Sequence, residues 1–295
     1  MKGNSPAHAH DSDGNPAPRV SHTETAHALP RRDRKGETGQ APIPAGLPDF
    51  HDSLEFLRRH HHLSRESAAQ HAGISTSYLN RLAQNRKLFP RRNVVTKLAH
   101  SYGLDPCQQR YLHELWEPSA HLPSADEMRH RLTSLGVPAH LDYLDTREVL
   151  AVYIDPLRTV LQGNQIFHRT VPGLADAGNN LALWIFTATA RRIIDNYDDE
   201  ARLAVTILRA ALGRYRDLPR ARHLFQTLCA DPEFTRLWES TTLQVAYGRP
   251  SPAPIRLRTP DTDEPRTLNL EISEFTDCAD VLVAYGIYTP PASAR

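Results

Sequence analysis

Six cationic side chains with no acidic neighbour between them are concentrated in one stretch of this sequence. Residues 67–104 contain no Asp or Glu, and their cations are Arg81, Arg86, Lys87, Arg91, Arg92 and Lys97. A surface of one sign attracts a polyanion and releases the counterions bound to it. The whole chain has a net charge of only +1, so this basic character is local. The chemistry that the stretch predicts is recognition of a polyphosphate partner.

The same stretch has the pattern of two short helices that cross at a tight turn. Ala69 and Gly73 are four residues apart, and Leu79 and Leu82 follow at helical spacing. A small Ala69 lets the second helix pass closely, and Gly73 can end the first helix at positive φ. Ser75 is a suitable N-cap for the second helix. The pattern predicts a helix-turn-helix. A helical hairpin used for protein contact or dimerisation is the alternative.

Residues 69–86 resemble the XRE-type (Cro/repressor-like) helix-turn-helix domain, in which the second helix enters the major groove of DNA. The resemblance implies that the start of this helix meets base edges and that cations around it meet phosphates. The implied base contacts are Ser75, Thr76, Ser77, Asn80 and Arg81. The implied phosphate contacts are Arg65, Arg86, Lys87 and Arg91. Because one such helix reads only a half-site, we expect a homodimer on double-stranded DNA.

Three positions depart from the usual pattern of that family. Arg65 stands where the family usually carries Gln, and Ala83 stands where it usually carries Glu in the phrase Glu-x-Gly-Arg. Asn85 replaces the Gly of that phrase, and we expect it to form a left-handed helix cap.

Helix signals on both sides of the motif predict an all-α, lambda-repressor-like domain of five helices over residues 48–117. Leu54, Phe56 and Leu57 form an apolar face before it, and Ser64 caps the first helix of the motif. A fourth helix with an apolar face follows the motif. Asp105-Pro106 then begins a fifth, because Asp caps a helix well and Pro suits its first position.

Composition sets limits on the class of protein. The chain has 295 residues, 40% of them hydrophobic, which is enough for two modest domains. No apolar run approaches a membrane span and the N-terminus lacks a signal h-region, so we expect a cytoplasmic protein. Cys107, Cys229 and Cys278 are isolated, so we expect packed thiols rather than disulfides or zinc ligands.

Catalytic and metal motifs are missing from the sequence. It contains no Gly-rich phosphate loop, no Gly-x-Ser-x-Gly elbow and no His-Glu-x-x-His. His60, His61 and His62 would point about 100° apart on one helix end, so they would not converge on a metal ion. We therefore expect no enzyme, no metal and no cofactor.

Two segments outside the helical domain are expected to be tail and connector. Residues 1–47 are rich in Pro, Gly, Ser, Asp and His, which predicts a disordered tail. The run from Arg31 to Lys35 could alternatively act as a basic arm on DNA. In the connector, 118–138, Ser124 and Glu127 have the spacing of a capping box for a short helix that Gly136 ends. We expect extended chain from Pro138.

Residues 139–290 alternate between strand-like and helix-like patterns. Strands are predicted in the apolar runs Val149–Ile154, Arg158–Leu161, Leu243–Tyr247, Ile255–Arg258, Thr267–Ile272 and Val281–Tyr288. Helices are predicted to begin at Asn164, Asn180, Asp198 and Asp231, and the third of these is long and amphipathic. These elements predict an α+β fold, with an antiparallel sheet of five or six strands and helices against one face.

The same region resembles the MmyB-like ligand-binding domain, a PAS-like module that follows an XRE domain in many actinobacterial regulators. The most specific part of the resemblance is Asp231-Pro232-Glu233-Phe234-Thr235-Arg236-Leu237-Trp238. Asn164 at a helix start and the segment from Asn180 to Phe186 add to it. Where the family usually has His-Pro before the penultimate strand, this chain has Thr259-Pro260 and an insert at 261–265.

The resemblance implies a small apolar, fatty-acid-like ligand held between the sheet and the helices. Aromatic side chains that would contact it are Tyr153, Phe167, Trp184, Phe186, Trp238 and Tyr247. A filled core would be made of the same groups. The sequence as a whole predicts a DNA-binding transcriptional regulator that senses this ligand. The alternative is a DNA-binding protein whose second domain docks on another protein.

Overall fold

The computed structural model describes residues 46–242, 244–250, 253–258 and 265–289. The predictions for the tail up to residue 45, for Thr259-Pro260 and for insert residues 261–264 lie outside this range.

Five helices form the first part of the described chain, as the sequence predicts. They are α1 Phe50–His60, α2 Arg65–Ala72, α3 Thr76–Gln84, α4 Arg92–Ser101 and α5 Pro106–Trp116. Ser64 and Ser75 cap α2 and α3 through their side chains, and Asp105 with Gln108 forms a capping box on α5. The helices enclose a core whose innermost members are Leu82, Leu98, Leu112 and Leu115.

Small residues allow α2 to meet its neighbours closely. Gly73 ends α2 in the left-handed conformation with φ 62° and ψ 39°, which glycine adopts without a steric cost. Ala69 is 1% exposed. Ser101 Oγ of α4 donates to the carbonyl of Ala68 at 3.2 Å. The turn therefore has the tight geometry expected of a helix-turn-helix.

The prediction of a left-handed cap at Asn85 is wrong. Asn85 has φ −113° and ψ 96°, which is extended backbone. Its side-chain Oδ1 accepts a hydrogen bond from the Lys87 backbone N–H at 3.0 Å. An Asn side chain that closes the following turn in this way makes a left-handed backbone unnecessary.

Two helices follow one another here, one within the connector and one that begins at its end. They are α6 Ala125–Ser134 and α7 Val137–Asp145. Ser124 caps α6 as predicted, and Gly136 adopts φ 76° between the helices. The prediction of extended chain from Pro138 is wrong, because Pro138 lies in the first turn of α7, where its missing N–H leaves no bond unmade.

An antiparallel sheet of five strands follows. The strands are β1 Leu150–Ile154, β2 Val160–Gly163, β3 Ile255–Arg258, β4 Pro265–Glu274 and β5 Leu282–Thr289. Their order across the sheet is β2-β1-β5-β4-β3. The first and last strands in sequence are central neighbours, with Val152 opposite Ala284. This pairing joins the beginning of the domain to its end. The predicted α+β class is confirmed.

The helices of this region are α8 Gln165–Thr170, α9 Leu181–Trp184, α10 Ala188–Ile193, α11 Tyr197–Arg214, α12 Pro219–Leu228 and α13 Pro232–Ser240. The predicted starts are confirmed at Asn164, Asn180 and Asp231, whose side chains cap α8, α9 and α13. The expectation of helices on one face is wrong. On the opposite face His140 of α7 meets Tyr285 of β5, with ring centroids 6.5 Å apart.

Two further predictions fail for reasons of packing. A strand is predicted at Leu243–Tyr247. Residue 243 lies outside the described residues, and 244–247 form no strand. Val245 and Tyr247 pack instead against the N-terminal helical core, and the Ala246 N–H donates to Thr206 of α11 at 3.2 Å. The alternating apolar side chains of this segment thus contact helices and not a sheet. Cys107 and Cys229 are exposed rather than packed, whereas Cys278 is buried.

Candidate DNA-binding surface and ligand cavity

The N-terminal tip of α3 presents hydroxyl groups and a guanidinium at the surface. Ser75 Oγ accepts from the Tyr78 backbone N–H at 3.1 Å and so caps the helix. Ser75 and Ser77 are exposed, and Thr76 is half-buried. Arg81 is exposed, with its Cζ 5.8 Å from the centroid of the Tyr78 ring. Hydroxyls and a guanidinium are groups that can pair with base edges in a major groove.

Asn80 is less accessible than the exposed members of the implied base-contact set, which are Ser75, Ser77 and Arg81. The residue is half-buried, and its Oδ1 is shielded from solvent without a hydrogen-bond partner among the described residues. A shielded amide oxygen without a partner costs free energy. Contact between Asn80 Oδ1 and a base therefore requires this side chain to turn outward.

The cations implied to contact phosphates differ in whether they already form ion pairs with carboxylates of the protein. Arg65 Nη2 lies 3.0 Å from Glu55 Oε1. Arg86 Nη2 lies 2.6 Å from Asp52 Oδ1, and its hydrogen bond to this carboxylate raises the pKa of the Arg86 guanidinium. Lys87 and Arg91 are exposed, and neither has an ion pair in the described part of the chain.

A cavity of about 190 Å³ lies between one face of the sheet and the helices α8, α9 and α11. Its sheet wall is made of alternate residues of β1, β4 and β5, including Val152, Leu270 and Ala284. Its helical wall includes Leu203 and Ala204 of α11. Alternation is expected, because successive strand residues face opposite sides of a sheet. A mostly apolar space of this kind suits an apolar ligand.

Two of the implied ligand contacts, Phe167 and Trp184, line this cavity. Trp184 is held there by a hydrogen bond from its Nε1 to the Pro172 carbonyl at 2.8 Å. Tyr153 lies on the other face of the sheet, where its ring centroid is 5.2 Å from that of Phe275.

The remaining three aromatic residues lie away from the cavity lining. Phe186 and Trp238 both pack against Phe234, at centroid distances of 5.4 and 5.5 Å. Tyr247 contacts α5 of the helical region, where its hydroxyl donates to Glu114 Oε2 at 2.7 Å. The structure therefore does not bring the predicted set together at one site.

The cavity has charged groups that the sequence analysis did not single out. Glu200 and Arg249 form a two-point ion pair, with Arg249 Nη1 donating to Glu200 Oε2 at 2.7 Å and Nη2 to Oε1 at 2.5 Å. Arg158 also lines the cavity, and burial lowers the pKa of its guanidinium to about 10. The neighbouring Asp155 is engaged elsewhere, because Arg220 Nη1 binds its Oδ2 at 2.9 Å.

The sequence carried only a faint signal of these three residues. Arg158 follows the turn Asp155-Pro156, and it has a positive φ of 69° that nothing in its residue type predicts. Glu200 reads as one of several acids at a helix start. Its partner Arg249 is 49 residues further along the chain, and no local pattern joins the two.

Comparison with known families agrees with this geometry. The sequence model of the MmyB-like transcription regulator ligand binding domain matches residues 136–294, which is more than half of the chain. A helix-turn-helix domain model matches residues 52–112. The chain belongs to the MmyB-like transcription regulator family. It is a DNA-binding transcription regulator with a ligand-binding domain. The curated proteins compared with the chain gave no match.

Transcription regulators of this kind are generally not enzymes, and the two matched families are theirs. In the described part of the chain no three His, Cys, Asp or Glu side chains are grouped so as to hold a metal ion. None of the helices in the described ranges is both long and apolar enough to cross a membrane.

Proposed function

We propose that this regulator binds a small apolar, fatty-acid-like ligand in the cavity between its sheet and helices, and that occupancy changes its affinity for DNA. The observation that carries the proposal is the apolar lining of this cavity, which includes Phe167 and Trp184. A ligand can change DNA affinity only if it binds two states of the protein unequally. The cavity therefore has to differ between the DNA-bound and free protein.

Arg158 supports a ligand with a carboxylate at one end. Its guanidinium lines a mostly apolar cavity in which the other two charged residues, Glu200 and Arg249, are paired with each other. Within the described ranges no carboxylate lies within 4 Å of it, and the nearby Asp155 is paired with Arg220. A poorly solvated cation is costly unless an anion pairs with it. A carboxylate headgroup would satisfy Arg158, while the alkyl chain would lie along Phe167 and Trp184.

Mass spectrometry of the purified protein tests the ligand directly. The protein is denatured, extracted with organic solvent, and the extract compared with that of a variant in which Arg158 is changed to Met. We expect a lipid with a carboxylate at about one per chain in the wild type, and less of it in the variant. An empty wild-type protein that also fails to bind added dodecanoate would contradict the proposal. A fixed protein partner that co-purifies would favour a docking module.

On DNA, we propose that α3 enters the major groove. Bases would be met by Ser75, Thr76, Ser77, Asn80 and Arg81, and phosphates by Arg65, Arg86, Lys87 and Arg91. The exposure of Ser75, Ser77 and Arg81 supports this assignment. We also propose a homodimer, because a single α3 reads only half of a two-fold site. Protection of two half-sites about one helical turn apart in a footprint would test it.

We further propose a DNA-binding domain at 48–117, a connector at 118–138 and a ligand-binding domain at 139–290. The ranges of the two family matches support this division. A cytoplasmic location is proposed because the partner is DNA.

A further inference from the structure

One short segment touches both the cavity and the helices that carry α3. This linking segment, residues 244–250, follows α13 and precedes the strand β3. Its backbone is held to α11, because the Ala246 N–H donates to the Thr206 carbonyl at 3.2 Å. The segment is neither helix nor strand. Apart from this bond and that of the Gln244 N–H to the Thr241 carbonyl, its position depends on contacts made by its side chains.

The cavity end of the linking segment is Arg249. Its ion pair with Glu200 lines the cavity, and the side chains of both residues are 9% exposed. Arg249 Nε also donates to the Ala253 carbonyl at 2.6 Å, and Asn196 Nδ2 donates to Glu200 Oε1 at 3.1 Å. A buried ion pair with this many fixed partners has little freedom to rearrange without moving its backbone. A ligand that packs against the pair therefore acts on the linking segment.

The other end of the linking segment is Tyr247, two residues away. Its hydroxyl donates to Glu114 Oε2 at 2.7 Å, and Arg110 Cζ lies 3.8 Å from its ring centroid. Glu114 and Arg110 are both on α5, and Glu114 is 8% exposed. Glu114 Oε1 is also bound by Arg214 Nη1 of α11 at 3.2 Å. Tyr247 thus contacts a buried carboxylate on the helix that packs against α1 and α4.

We propose that the linking segment carries the regulatory signal, with Arg249 sensing occupancy of the cavity and Tyr247 acting on α5. This inference rests on the ligand-binding function proposed above. Tyr247 and Arg249 are two residues apart, and two residues of extended chain span about 7 Å. A shift of the backbone at Arg249 is therefore passed on to the backbone at Tyr247. Displacement of the Glu200–Arg249 pair changes the Tyr247–Glu114 contact, and α5 then shifts the helices that support α3.

The first test uses full-length protein with Tyr247→Phe, which removes one hydroxyl and keeps the ring against Arg110. Tyr143→Phe is the matched control, because Tyr143 is 53% exposed on α7 and its hydroxyl accepts only from Arg147 among the described residues. The probe is dodecanoate, and the DNA is a duplex obtained by binding-site selection. The coupling factor is the ratio of DNA Kd values with and without saturating dodecanoate.

We expect a wild-type coupling factor between about 5 and 150. In Tyr247→Phe it should move toward 1 by about fivefold, the factor that one hydrogen bond contributes. Dodecanoate affinity should stay within about twofold of the wild type, and Tyr143→Phe should keep the wild-type factor. Full coupling in Tyr247→Phe, with both ligands bound normally, would overturn the inference.

The second test needs no ligand and separates the inference from the proposed function. Hydrogen exchange is measured in the double variant Glu200→Gln, Arg249→Gln, which removes both buried charges together. We expect faster exchange over α5, unchanged exchange over α12, and no further effect on α5 when Tyr247→Phe is already present. If dodecanoate fails to bind, the ligand proposal falls and this measurement alone decides the linking segment. Unchanged exchange over α5 would overturn it.

Discussion

The cationic residues in and around α3 differ in the ion pairs that they would have to break to bind DNA. Arg81 has no carboxylate partner in the part of the chain that the structure describes, whereas Arg86 is paired with Asp52 at 2.6 Å and Asp49 at 3.4 Å. A phosphate that binds Arg86 has to displace or share these acids. Base recognition and phosphate binding can therefore be separated by substitution.

Changing Arg81 to Ala is expected to cost about 1–3 kcal/mol on a selected duplex and to relax the base preference at one position. Changing Arg86 to Ala should weaken all sequences alike and lower the salt slope by about one unit. Fluorescence anisotropy over a range of salt concentrations measures both. Arg202→Ala on the exposed side of α11 is the control. Equal losses on specific and random DNA for Arg81→Ala would contradict its assignment to a base.

Changing Asp52 to Asn should strengthen DNA binding. The substitution removes the shorter of the two ion pairs of Arg86 and leaves the one with Asp49. It also removes a negative charge beside the proposed phosphate path. An exposed pair contributes about 0.2–1 kcal/mol, so the gain should be between about one and a half and fivefold at low salt, and smaller at high salt. Filter binding to random DNA measures it. A loss of affinity would show that Asp52 positions Arg86 rather than competing for it.

Among the elements, α11 joins the two halves of the described chain. One side of it lines the cavity with Leu203 and Ala204. The other side meets α5 at Gly213, where an added Cβ would lie 2.7 Å from Tyr111 Cε2 and 3.1 Å from Leu115 Cδ2. Tyr111 and Leu115 are buried, so neither can move aside cheaply. Glycine is required here because the two helices approach closely.

Gly213→Ala should therefore destabilise the contact between α11 and α5 by about 1–3 kcal/mol, the usual cost of overpacking a core. Urea unfolding followed by tryptophan fluorescence measures the change. Gly248→Ala is the control, because among the described residues no atom beyond its two chain neighbours lies within 4 Å of the position of its added Cβ. If Gly213→Ala is as stable as Gly248→Ala, α11 and α5 can move apart without a cost in stability. Close packing at Gly213 would then not be what stabilises their contact.

For the molecule as a whole, we propose that a ligand in the cavity alters the contacts that join the sheet, the helices and the linking segment. Ala204 lies on its helical wall, and a larger side chain there would project into the space. A filled cavity imitates occupancy without a ligand. The substitution itself should then change the DNA affinity of the regulator, and added dodecanoate should no longer change it.

We expect dodecanoate to raise the Tm of the wild type and Ala204→Phe to abolish this rise, because the added ring takes the ligand's place. Saturating ligand at 100 times its Kd contributes about 2.7 kcal/mol to wild-type stability, which calorimetry detects readily. Ala188→Phe on the exposed side of α10 is the control. A full rise in Tm for Ala204→Phe would mean that dodecanoate binds outside this cavity.

Local interactions determined what the sequence by itself could predict. The five N-terminal helices, the Gly73 turn and the caps at Ser64, Ser75 and Asp105 depend on residues three or four positions apart. The strand runs and the long α11 are likewise visible as periods of two and of three to four residues. These patterns were sufficient for the fold class and for the resemblance to the two families.

Tertiary structure decided which side chains face the cavity. Tyr153 and Phe167 are similar apolar rings in the sequence, but the pleat of β1 turns Tyr153 to the opposite face, while Phe167 enters the cavity from α8. Tyr247 meets Glu114 across 133 residues of chain, and Arg249 meets Glu200 across 49. Contacts between residues so distant in sequence leave no periodic trace, because they depend on the order of the strands and on the way helices pack over them.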